Sequence, residues 1–232
     1  MPRILCIETS TTVCSAAISE NGTVSCCIEK NDGNSHSELL TVFIEELFRK
    51  TGLSADLIEA VAVSEGPGSY TGLRIGVSVA KGFCFRREIP LIAVSTLQSL
   101  AFGVKMMQED ENFADIYCPM IDAGRMEVFY TQYGNELNVL QPVKAEIISE
   151  GSFDGQLKKH RICFTGNAMN KIRSVIKSEN AVFIDLLPSA RYIAPLAFKK
   201  YKRNDFTDTA YFEPFYLKDF IAIPPKNKVI PG

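Results

Sequence analysis

Apolar positions along the chain follow two different periods. Three short runs come first, RILCIET (3–9), VCSAAIS (13–19) and TVSCCIE (23–29), separated by the turn-forming STT and ENG connections. Their β-branched content and tight connections predict three antiparallel strands. From residue 36 the spacing becomes helical: HSELLTVFIEELFRKTG (36–52) predicts a helix capped by Ser35 or Ser37 and stopped at Gly52. EAVAVS (59–64) then reads as a buried strand, TGLRIGVSVAKGFCFRR (71–87) as a helix, LIAV (91–94) as a strand and STLQSLAFGVKMM (95–107) as a helix. The resulting order, βββαβαβα, gives a mixed sheet flanked by helices, an α/β class.

The acidic stretch QEDEN (108–112) marks a boundary, which divides the chain into 1–107 and a degenerate C-terminal lobe, 108–232. IYCPMID and MEVFYTQY form an expected hairpin across AGR, followed by a strand at 161–165, a helix at 167–178, a strand at 181–185 and a helix at 190–203. That last helix is expected to pack back on the first lobe. No sequence repeat relates the halves.

Composition narrows the classes. The 232 residues are 46% hydrophobic with a net charge of −2, spread as +4 over residues 191–232 and −6 over the rest. A basic cluster of that size reads as a solvated helix face, since a nucleic-acid footprint asks for a basic domain with groove-reading or aromatic elements. No apolar run reaches membrane-spanning length, and MPRILCIETS lacks the pattern of a secretory leader, so a cytoplasmic location away from any membrane is expected. Seven cysteines, an odd number with no C-x-x-C pair, read as reduced and buried.

The most unusual stretch is EGPGSYTGLRIG (65–76). A phosphate-binding Walker loop needs Lys then Ser or Thr after its last glycine, and a dinucleotide fingerprint needs G-x-G-x-x-G; Gly66, Gly68 and Gly72 match neither. Ser69 lacks a nucleophile elbow, and the chain has only two histidines, His36 and His160, far apart in sequence. What remains is a strand, a Pro-Gly turn and a helix beginning near Thr71, whose free N–H groups either hold an anion or are capped by Ser69. Glu8, with Thr9, Ser10, Thr11 and Thr12, allows two similar readings: a magnesium- and phosphate-facing turn, or ordinary Ser/Thr turn chemistry.

The two long helices carry more apolar surface than one sheet requires. Leu39, Leu40, Val42, Phe43, Ile44, Leu47 and Phe48 spread over an arc of roughly 240°, against about 100° for a helix lying on a sheet. Gly72, Gly76 and Ala80 recur every four residues, a stripe that admits a closely packed helix, beside Leu73, Ile75, Val77, Val79 and Phe83. Either a partner or the rest of this chain covers them.

ILCIETSTTVCSAAI, HSELL, EGPGSYTGLRIG, AKGF and VSTLQSLA, in this order and spacing, resemble the TsaB (YeaZ) family, with weaker echoes at IDAGRMEVFY, FTGNA and FEPFYLKD. The resemblance implies an actin-like, sugar-kinase-like (ASKHA) two-lobe fold and a role in making threonylcarbamoyl-adenosine beside the tRNA anticodon. In that pathway a TsaD transferase carries the chemistry, and TsaB is its non-catalytic partner together with a TsaE ATPase. The implied contact surface, used for a homodimer and for TsaD, comprises Leu39, Leu40, Phe43 and Leu47 on one helix and Gly72, Leu73, Gly76, Val77, Ala80 and Phe83 on the other. Laying the transferase pattern V-N-H-L-E-G-H on VSTLQSL puts Thr96 and Leu100 where its metal-binding histidines stand, so no metal is expected. Glu8, Thr9, Ser10, Gly66, Gly68, Ser69 and Thr71 become vestigial phosphate loops. No cofactor is expected on this chain alone, ATP or ADP being a matter for the full complex, and tRNA is met only through it. Two other classes stay open: an active small-molecule kinase or metallopeptidase of the same superfamily, and a generic homodimeric interaction module.

Overall fold

The three leading runs pair as an antiparallel meander, β1 (Arg3–Glu8), β2 (Val13–Glu20) and β3 (Thr23–Asn31). Asn21 and Gly22 take positive φ at the second turn, the conformation a tight hairpin requires. This is a computed structural model, and it describes residues 1–33, 36–110 and 113–217. The cap assigned to Ser35, and Lys218, Lys226 and Lys228 of the basic tail, lie outside the described residues.

Helix α1 (His36–Thr51) ends at Gly52, whose positive φ suits a helix stop. Ser37 lies inside its first turn and is not its cap. A short 3₁₀ turn (Ala55–Leu57) leads into β4 (Ala60–Gly66), parallel to β1, then α2 (Tyr70–Arg87), β5 (Leu91–Ser95), parallel to β4, and α3 (Thr96–Met107). Ser69 and Ser95 cap α2 and α3 through their hydroxyls.

The second lobe repeats this unit. It runs β6 (Ile116–Asp122), β7 (Glu127–Gly134), β8 (Val139–Ile147), α4 (Asp154–Leu157), β9 (Ile162–Thr165), α5 (Met169–Val175), β10 (Ala181–Ile184) and α6 (Ala190–Lys202). The first sheet has the order β3-β2-β1-β4-β5 and the second, read from its other edge, β8-β7-β6-β9-β10, so the two have one topology. Strand β8 and the short α4 are absent from the sequence expectation. The reason is Pro142 in the middle of β8, a residue that reads against a strand but is tolerated at a sheet edge, where β8 lies.

The lobes exchange helices. On one face of the first sheet, α1 and α2 cover Leu5, Ile7, Ala16, Ile18, Val61 and Val63. Its other face is covered by α6, whose Ile193, Ala194 and Ala197 meet Ile4, Cys6, Ala62 and Val94. Conversely α3 lies on the second sheet, Leu97, Leu100 and Val104 packing with Tyr117, Tyr133 and Cys163. Beyond α6 the chain returns to the first lobe. Thr207 bridges to Leu91 at the β5 edge, Lys81 Nζ donates to the carbonyls of Ala210 and Phe212 at 3.0 Å, and Phe215 N donates to Glu65 O at 2.7 Å.

Candidate functional site

A cavity of about 600 Å³ opens between the lobes. Its first-lobe wall is the β1–β2 turn (Ser10, Thr11, Thr12) and the start of α2 (Gly68, Ser69, Thr71, Gly72), with His36 at one side; its second-lobe wall is Ile121, Asp122, Ala123, Phe129 and Asn167. The fold thus gathers the two stretches singled out by sequence. Gly66, at φ 111°, turns the chain out of β4, and Ser69 N donates to Ser10 O at 2.7 Å. A side chain at Gly68 would collide with that same carbonyl, and one at Gly72 with the carbonyl of Thr9. Thr9 Oγ1 in turn donates to Gly72 O at 2.8 Å.

Glu8 does not line the cavity. It is wholly buried, one carboxylate oxygen accepting from Ser10 N at 2.6 Å and the other lacking a hydrogen-bond partner. Burial raises its pKa, and hydrogen bonding from Ser10 only partly opposes this. His36 is buried, its Nε2 2.8 Å from the carbonyl of Thr11, whereas His160 is exposed on the second lobe, so the histidines do not meet. Thr96 and Leu100 are fully buried in α3. Among the described residues no group of three or more His, Cys, Asp or Glu side chains is placed to hold a metal ion.

The expected contact surface needs correction. Leu40, Phe43, Leu47, Leu73, Val77 and Ala80 are buried in the core of this chain, and Leu39 and Phe83 are half-buried against it. The Gly72–Gly76–Ala80 stripe admits no second molecule: it faces inward, and a side chain on Gly76 would strike Thr9 Oγ1. Close approach is needed there, but between α2 and the β1–β2 turn. The outer face of α2 instead presents Thr71, Ser78 and Gly82, exposed, with Ile75 and Val79 half-buried, and a Cβ on Gly82 would meet nothing within 4 Å. Phe48 of α1 stacks on Phe83 at 6.2 Å, and Thr41 and Glu45 extend this face along α1.

Sequence reasoning missed Asp122, Asn167 and His36 as cavity residues. The signal was present: Asp122 ends β6 as Glu8 ends β1, and Gly166, at φ 114°, follows β9 as Gly66 closes β4.

Two lobes of one topology closing on a cleft between strand-end turns define the actin-like, sugar-kinase-like class. Solved structures agree on the fold: YeaZ from Pseudomonas aeruginosa superposes with a TM-score of 0.80 at 24% identity over 94% of this chain and 100% of its own. The activator of the 2-hydroxyisocaproyl-CoA dehydratase from Clostridium difficile follows at 0.53 and 13%, covering 88% of this chain and 97% of its own. A family profile described as TsaD, tRNA N6-adenosine threonylcarbamoyltransferase, matches residues 30–222. The tRNA threonylcarbamoyladenosine biosynthesis protein TsaB of Escherichia coli K12 is 30% identical over 95% of this chain and 96% of its own length. The tRNA N6-adenosine threonylcarbamoyltransferase of Halalkalibacterium halodurans is 31% identical over 63% of this chain but only 47% of its own. The chain belongs to the TsaB family, within the wider group of TsaD-like domains.

Proposed function

We propose that this chain is a non-catalytic subunit in the formation of threonylcarbamoyl-adenosine on tRNA, acting in the cytoplasm beside a TsaD-like transferase and a TsaE-like ATPase and meeting tRNA through that assembly. The observation that carries the reading is the end-to-end match to a TsaB protein, set against a match to less than half of a transferase. The cavity supports the absence of chemistry in this chain alone. A magnesium–phosphate pair does not fit these residues: Glu8 is sealed beneath the turn, and the Ser69 amide that would face a phosphate is bonded to Ser10 O. No cofactor is therefore assigned to the isolated chain, ATP or ADP being left to the complex.

The partner is assigned to the outer face of α1 and α2, with Thr41, Ile75, Ser78, Val79 and Gly82 at its centre. Small residues there let a second helix pair approach, and a specific interface would bury at least about 1,000 Å² in total. The same face serves a homodimer when the chain is alone. Co-expression with the transferase of the same organism, followed by light-scattering mass determination, tests this. The expected result is a stable mixed complex formed at the expense of the homodimer; two species that elute separately at micromolar concentration reject it.

A further inference from the structure

The turn between β6 and β7 is held by a cation delivered from another element. Lys171, on α5, has a side chain only 15% exposed. Its Nζ donates to Asp122 Oδ1 at 2.6 Å, to Glu127 O at 2.6 Å and to Arg125 O at 3.0 Å. An ammonium has three N–H donors, and here one carboxylate and two main-chain carbonyls receive them. Hard oxygens converging from one short loop are the donor set a protein offers to a metal ion. The same loop is fixed by Gly124 N donating to Asp122 Oδ1 at 2.6 Å and by Asp122 N donating to Asn167 Oδ1 at 2.8 Å. Asp122, Ala123 and Asn167 all line the inter-lobe cavity.

We infer that the Lys171 ammonium is a built-in cation filling an oxygen-lined site at the β6–β7 turn, and that it shapes the second-lobe wall of the cavity without a metal. Lys171 is a positioning residue acting through Asp122. The inference does not depend on the partner assigned above, because its readout is the stability of the isolated chain.

The test is Lys171→Ala followed by chemical rescue. Loss of three charge-assisted hydrogen bonds should lower the melting temperature by about 4–8 °C. Methylammonium chloride, which carries the missing –NH₃⁺ group, should restore a substantial part of that loss. Tetramethylammonium chloride at the same ionic strength, having no N–H donor, should restore none. An unchanged melting temperature overturns the inference, as does a loss on which the two salts act equally. If the variant fails to fold in plain buffer, refolding yield in the two salts replaces the melting curve: a higher yield in methylammonium supports the built-in cation, and equal yields reject it.

Discussion

Ser69 donates its backbone N–H to the carbonyl of Ser10 across 2.7 Å, joining the two turns that form the first-lobe wall of the cleft. Gly68 makes this approach sterically feasible, since a side chain there would run into the Ser10 carbonyl. Gly68→Ala should therefore destabilise the fold by about 1–3 kcal/mol, the usual range for overpacking a closed site. Urea unfolding followed by circular dichroism measures this, and a midpoint equal to wild type would show that the turns separate at no cost.

Gly76 and Gly82 lie six residues apart on α2 and should respond in opposite ways. Gly76→Leu drives a side chain into Thr9 and should yield little folded protein. Gly82→Leu projects into open space and replaces a poor helix former, so the isolated chain should be as stable as wild type or more so, by up to about 1 kcal/mol. It should nevertheless lose self-association and transferase binding, because leucine fills the small-residue face. Melting curves with light scattering separate these effects; a Gly82→Leu protein that still dimerises would move the interface elsewhere.

Glu8 makes stability depend on pH. Its folded pKa is raised by burial above the ordinary 4.5, so between those values the folded chain retains a proton that the unfolded chain has released. Stability from this group is complete below the unfolded value and is lost as pH rises through the folded one. Glu8→Gln keeps the shape without the ionisation. It should melt above wild type at about pH 8 and converge with it near pH 4, where both side chains are neutral. Parallel pH profiles would mean that Glu8 titrates at the same pKa in the folded and the unfolded chain.

Thiol reactivity should be low. Burial pushes Cys6, Cys84 and Cys163 up to about 12 and Cys14 to about 11, and holds Cys118 well above the ordinary 9.0. Only Cys26 and Cys27 are half-buried, and Cys27 is also raised. Since the thiolate is the attacking form, Ellman's reagent at neutral pH should label no more than these two promptly, and all seven in denaturant. Rapid labelling of a third thiol in the native protein would point to an opening of the core.

The first lobe was legible because short apolar runs broken by turn residues give way at residue 36 to helical spacing. What the sequence left ambiguous was which face of α2 looks outward. Gly72, Gly76 and Ala80 form one small-residue row and Ser78 and Gly82 another, and both permit close approach. Only the position of Thr9, some sixty residues away in sequence, shows that the first row is filled from within. The duplication was invisible for a related reason: equal topology asks for apolar strands and a glycine such as Gly66 or Gly166 at the turn, and leaves most other positions free. Strand β8 was obscured by Pro142 together with its half-exposed edge position.

Because α6 closes one face of the first sheet, the order of synthesis and the order of completion differ. When residues 1–107 have emerged from the ribosome, Ile4, Cys6, Ala62 and Val94 have their strands but not the helix that shields them, which lies at residues Ala190–Lys202. The half-built lobe keeps an apolar sheet face exposed until α6 has been translated. Chaperone capture is favoured during that interval, and a premature stop before Ala190 leaves the first lobe unfinished.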